Sequence, residues 1–312
     1  MNSLRRLPVT VNQIYKSYLR RCLTSTPNEA AEVEIAKEKN ILVDQNASVT
    51  LIGINRPEKK NCLDLATAEE LSQALENFDN NENSKVGVLY GVGGNFCAGY
   101  DLTEIAKYDG KNESTLPQFG TLANKTELCK KPLIAALSGY AVGIGFELAL
   151  MCDMRIVEDT AVMGFLNRRF DIPILSGGTV RLPALIGYSR AIEIILTGRP
   201  ITAEEAFNYG IAVRYTACGT VIGQSVNLAN CIAKFSQKVL CAERASAQFA
   251  TFGTKQLEEA LQFEKDNASH LLLEEGVEGA KKFVNEGIGR HGKSYNIKPN
   301  TYNFKELDKD LL

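Results

Sequence analysis

Twice in this chain an apolar run ends in a glycine-rich turn and passes into a segment with helical spacing. That recurrence constrains the fold more than any other feature. Residues 85–92, KVGVLYGV, read as a buried strand and run directly into GGNFCAGYDL at 93–102. Residues 131–159, KPLIAALSGYAVGIGFELALMCDMRIVED, hold an apolar segment, a turn with Gly139, Gly143 and Gly145, a helix from about Phe146, and then the strand MRIVE. Strands alternating with helices in this way call for crossover connections, hence an α/β fold. Upstream, Ile41–Val43 and Val49–Ile54 flank the polar stretch Asp44–Ser48 as a hairpin would, and leucines at 63, 65, 71 and 75 give the next segment one apolar helical face. From TAEEAFNYG (202–210) onward the pattern is mainly helical, and the chain after Gly289 is polar.

Composition narrows the function. A chain of 312 residues with 45% hydrophobic content can bury a sizeable core. Its 35 basic and 37 acidic residues are mixed along most of the length, which leaves no basic face for nucleic acid. No run of about 18 apolar residues predicts a membrane span. Eight cysteines without a CxxC pair and only two histidines disfavour zinc and a disulfide framework, and suit small core residues in a reducing compartment. The start is different: Arg5, Arg6, Lys16, Arg20 and Arg21 precede the first acid, Glu29, and hydroxyl residues follow the second arginine pair. Residues 1–26 therefore read as a transit peptide for the mitochondrial matrix, the alternative being a basic tail on a cytosolic protein.

Glycines admit positive φ and let a ligand approach the main chain, so two such turns can aim two backbone N–H groups at one oxygen. The second turn, AVGIGFE, opens a helix whose positive end favours developing negative charge. The bland reading of either turn alone is close helix–strand packing. Glu147, one turn into that helix, is either a helix N-terminal charge or a positioned acid/base. Neither GVGGNF nor GIGFEL places the third glycine of GxGxxG, and there is no GxxxxGK[ST], so dinucleotide and P-loop chemistry fit poorly.

Together INRPEKKNCLD (54–64), GGNFCAGYDLTEI (93–105), KPLIAALSGYAVGIGFELALMCDMRIV (131–157) and the stretch from Gly177 to Ala212 resemble the enoyl-CoA hydratase/isomerase, or crotonase, superfamily. The resemblance implies a spiral of repeated ββα units over 35–235, a helical region at 236–290 that trimerises, with trimers often pairing as hexamers, and a polar tail at 291–312. It implies an acyl-CoA thioester partner, with coenzyme A part of the substrate and no metal or other cofactor. By position, the Tyr100 and Ile144 amides become the oxyanion donors, and Ala98, Gly99, Asp101, Leu102 and Gly143 become substrate-contacting turn residues. Arg56 and Lys59 fall in a segment that lies along the CoA moiety. Glu147 coincides with one of two carboxylates that hydratases use, while Asn167 stands where the second is expected, counting from Gly164. Asn167 can orient a water but cannot take its proton. Ile144 replaces a usual glycine, and a β-branched residue resists positive φ. The reading that follows is an enoyl-CoA hydratase-like lyase of fatty-acid or branched acyl-CoA metabolism. The alternatives are an acyl-CoA decarboxylase, with Arg168 or Arg169 binding the departing carboxylate, a thioester hydrolase, or a non-catalytic acyl-CoA-binding member.

Overall fold

The computed structural model describes residues 39–107, 122, 125–252 and 257–287. The leader at 1–26 and the tail at 291–312 lie outside them. Strands β1 (Ile41–Asn46) and β2 (Val49–Ile54) form an antiparallel hairpin around a two-residue turn in which Ala47 takes φ 51°. β1 runs further than its apolar residues suggest, because an edge strand exposes Asp44, Gln45 and Asn46 without cost. Helix α1 (Leu65–Asn80) starts where the Asp64 carboxylate accepts the Thr67 amide at 2.8 Å, and it buries Leu71, Leu75 and Phe78. Then come β3 (Val86–Gly91), α2 (Leu102–Ala106), β4 (Leu133–Leu137), β5 (Tyr140–Val142), α3 (Ile144–Met151), β6 (Met154–Glu158), β7 (Val162–Gly164) and a 3-10 turn at Leu166–Phe170. The rest is α4 (Gly178–Ile186), α5 (Tyr188–Thr197), β8 (Ile201–Thr202), α6 (Ala203–Asn208), β9 (Arg214–Thr216), α7 (Val221–Ile232), α8 (Gln237–Phe252), α9 (Leu257–Leu271), a π turn at Leu272–Gly276, and α10 (Val277–Glu286).

Six strands form one sheet in the order β1-β2-β3-β4-β6-β9, parallel except for the hairpin, and β5-β7-β8 form a second. Single bridges Leu63↔Tyr100 and Cys97↔Ala141 continue the second layer through the chain after β2 and β3. Each coil of the chain is thus a strand in the large sheet, an extended step in the small one, and a helix or turn, which is the crotonase spiral. α7 covers one face of the large sheet through Val221, Ala229 and Ala233 against Val88, Ile134 and Ile156. The other face meets α1 and α3 in the main core. Sandwiched strands read as continuous apolar runs, as β4 does with every residue buried.

All of α3 is buried, so it lacks a polar face and positions Glu147 inside the protein. The C-terminal helices return to the same neighbourhood. Leu272, Val277 and Ala280 pack with Ile105 and Ile172, and the Phe170 and Phe283 rings meet edge-on with centroids 4.9 Å apart. A methyl group on Gly279 would collide with the Phe170 carbonyl oxygen, so glycine lets α10 lie directly on the 3-10 turn. The described residues from Lys39 onward belong to one compact unit.

Candidate active site

The loop after β3 is pinned from within. The fully buried Asn61 side chain accepts the Arg56 amide at 2.8 Å and donates to the Val92 and Asn95 carbonyls at 2.8 and 2.5 Å. Beyond it the two glycine turns are stapled together: the Cys97 amide donates to Tyr140 at 2.8 Å and the Val142 amide returns to Cys97 at 3.0 Å. From that bridge each chain runs three residues to a candidate donor, Tyr100 or Ile144. Gly99 has φ 106° and Gly143 φ 57°. A Cβ added to Gly143 would lie 3.8 Å from the Gly99 Cα, so the two turns run side by side with room for no more than a methyl group in ordinary contact.

The requirement for positive φ falls on Gly143 and not on Ile144, which is simply the first residue of α3. A β-branched side chain is therefore no obstacle there. As an opening helix residue the Ile144 N–H has no intrahelical partner, and no other backbone acceptor meets it among the described residues.

Glu147 is 3% exposed, and its Oε1 accepts the backbone amides of Ser176 at 2.7 Å and Gly178 at 3.0 Å. Gly178 is the first residue of α4 and Ser176 lies just before its N-cap, so the carboxylate of one helix is held at the positive end of another. Its role as a charge for its own helix alone does not describe this geometry.

Asn167 sits in the 3-10 turn. Its Nδ2 donates to the Ile172 carbonyl at 2.7 Å, which fixes the amide orientation because only the nitrogen can face a carbonyl. Its Oδ1 is buried and has no hydrogen-bond partner among the described residues. An unmet buried acceptor costs about 1–3 kcal/mol, which a donor from a ligand or water would recover.

Ala98, Gly99, Tyr100, Leu102, Gly143, Ile144, Glu147 and Asn167 line one cavity of about 50 Å³, with Phe170, Ile172 and Pro173 completing an apolar wall. That is room for a few waters or the end of a short chain. The other expected residues lie apart from it. Asp101 caps α2 through the Thr103 amide at 3.2 Å and pairs with Arg56 at 3.1 Å. Burial pushes its carboxyl up, but hydrogen bonds from the Thr103 hydroxyl and amide and from Arg56 outweigh that and hold it below the usual carboxylate value. Arg56 also pairs with Asp64 at 3.0 Å and donates to the Cys62 carbonyl at 2.6 Å, so its charge joins two loops. Lys59 is exposed. Arg168 reaches the Ile195 carbonyl at 3.4 Å. No Lys, Arg or His is among the described lining residues.

Sequence reasoning did not find Ser176 and Gly178 as the holders of Glu147. The paired glycines 177–178 before an apolar helical segment were the available signal for exposed amides. Among the described residues Glu158, Asp159 and Cys218 bring possible metal-ligand atoms within 4.8 Å, but Glu158 already accepts Thr160 Oγ1 and the Gly219 amide, and none lines the cavity.

The family described as Enoyl-CoA hydratase/isomerase matches residues 44–289, and the chain belongs to it. It is an enzyme of that superfamily. "Probable enoyl-CoA hydratase, mitochondrial" of Dictyostelium discoideum is 31% identical, covering 80% of this chain and 83% of that one. A carnitinyl-CoA dehydratase of Proteus mirabilis is 36% identical over 62% of this chain and 75% of its own length. The crystal structure of an enoyl-CoA hydratase from Mycobacterium tuberculosis superposes with a TM-score of 0.66 at 27% identity, covering 79% of this chain and all of that one (100%).

Proposed function

We propose that this enzyme adds water to 2-enoyl-CoA thioesters. The thioester oxygen lies between the amides of Tyr100 and Ile144, at the positive end of α3. Asn167 Oδ1 accepts one hydrogen of a water and Glu147 the other. As the water oxygen bonds to C3, its proton passes to Glu147, the C2–C3 π pair moves toward C1, and negative charge collects on the thioester oxygen. Glu147 then returns the proton to C2, and the charge relaxes as the carbonyl re-forms. One carboxylate thus serves in turn as base and acid, while the asparagine only orients.

The observation that carries this reading is the unmet Asn167 Oδ1 on the same small cavity as the held carboxylate. Decarboxylation would favour a cation beside the leaving carboxylate, and neither Arg168 nor Arg169 lines the cavity. No group beyond the CoA of the substrate takes part in this scheme. The test offers crotonyl-CoA, methylmalonyl-CoA and butyryl-CoA to the purified chain. Hydration of the first, lost in Glu147→Gln, supports the reading. Decarboxylation of the second, hydrolysis of the third, or binding without turnover would replace it.

The reading includes a mitochondrial matrix location, supported by the basic leader and the mitochondrial designation of the Dictyostelium relative. A fusion protein whose import stops when residues 1–26 are deleted tests it. It also includes a homotrimer or a pair of trimers, which sedimentation measures.

A further inference from the structure

The side chain of Tyr100 has no part in the chemistry above, which uses only that residue's amide. Its position is nevertheless defined at both ends. The amide belongs to the turn that faces the thioester carbonyl, C1 of the acyl group. The hydroxyl lies 3.4 Å from Ser176 Oγ, and Ser176 supplies the amide that holds Glu147, the group serving C2 and C3. The phenol therefore spans from the turn that faces the carbonyl to the segment that holds Glu147, along one side of the cavity that Tyr100, Glu147 and Asn167 line.

The ring cannot swing aside cheaply. It packs against the main core on one side and on the other against the cluster formed by Ile105, Ile172, Leu272 and Val277, so it is wedged between the spiral and the C-terminal helices. With Phe170 it helps confine the cavity to about 50 Å³. We propose that the Tyr100 ring is the end wall of the acyl site and restricts the enzyme to short acyl chains of about four or five carbons. This rests on the hydration reading for the direction in which the acyl group lies.

The test measures kcat/KM for crotonyl-CoA and 2-octenoyl-CoA with the full chain, and the readout is the ratio between them. A hydrophobic site commonly discriminates by about 10-fold or more for each methylene it cannot hold, so with three or more carbons beyond the limit the unmodified enzyme should prefer the four-carbon substrate by at least about 1,000-fold. Tyr100→Ala should narrow that preference to within about tenfold, while Tyr100→Phe, which keeps the ring, should retain it. Tyr100→Val serves in place of the alanine variant if that one does not fold. Equal use of both substrates by the unmodified enzyme, or an unchanged ratio in the small-residue variant, overturns the proposal. Binding of butyryl-CoA and octanoyl-CoA, measured calorimetrically, separates this from the proposed reaction. A chain-length limit that Tyr100→Ala relieves upholds the wall even if no enoyl-CoA is hydrated, and equal binding of both overturns it.

Discussion

Glu147→Gln separates the catalytic role of the carboxylate from its structural one. Oε1 accepts two backbone amides, at 2.7 and 3.0 Å, and the amide oxygen that replaces it can accept both. Hydrogen bonds to a charged group are worth about 1.5–3 kcal/mol and neutral ones about 0.5–1.5, so the exchange weakens each by about 1 kcal/mol. Relief from burying a charge at 3% exposure offsets part of that. The net loss of stability is no more than about 2 kcal/mol, a fall in Tm of at most about 4–8 °C. Glu147→Ala would instead leave the Ser176 and Gly178 amides unpaired, at about 1–3 kcal/mol each. Catalysis behaves differently, because the glutamine side chain cannot take a proton from water, and kcat should fall by about 10²–10⁴. The assay is the loss of enoyl-thioester absorbance with crotonyl-CoA, alongside thermal unfolding of the same preparations. A folded Glu147→Gln enzyme that kept more than about a tenth of kcat would refute the role given to this residue.

Asn167→Ala should lower kcat by about 10- to 100-fold, since the water loses its acceptor, and should change stability by no more than about 1 kcal/mol, because leaving the Ile172 carbonyl unpaired is offset by removing the unmet Oδ1. Gly143→Ala meets no close atom, its Cβ lying 3.8 Å or more from Gly99 and Asn167, so its cost is the strain of φ 57°, about 1–3 kcal/mol. Activity measured beside stability should show a larger loss, because the Ile144 amide turns with it. The Asp101 carboxyl is lowered in the folded state, so it contributes stability above its unfolded value near pH 4 that disappears as pH falls through the lower folded value. Asp101→Asn should therefore flatten the acid limb of a Tm-versus-pH curve and leave its neutral slope alone. Gly279→Ala drives a methyl group into the Phe170 carbonyl, and denaturant titration should show a loss of about 1–3 kcal/mol.

Much of this architecture is legible in the sequence because it is local. The buried strands announce themselves as apolar runs, and most glycines of both turns mark where the backbone takes positive φ, Gly145 instead allowing close approach to Cys97. Glu147 stands out because a single acid in a wholly apolar helix needs a reason. What was not legible depends on distant partners. The amides that hold Glu147 lie 29 and 31 residues further on, and no periodicity links them. The strain expected at Ile144 falls one residue earlier, since a residue's type does not say which member of a turn bears the unusual φ. Arg56 reads in the sequence as a loop cation, and only the fold places Asp64 and Asp101 beside it. The substitution of Asn167 was plain, but only its geometry shows one end of the amide satisfied and the other not.

The central claim is that the amides of Tyr100 and Ile144 receive the thioester oxygen. A crystal structure of the chain with butyryl-CoA tests it directly. The account predicts that oxygen within about 2.7–3.1 Å of both nitrogens, with C2 and C3 facing Glu147 and Asn167. An acyl group bound elsewhere, or an Ile144 amide turned away from the oxygen, would contradict it.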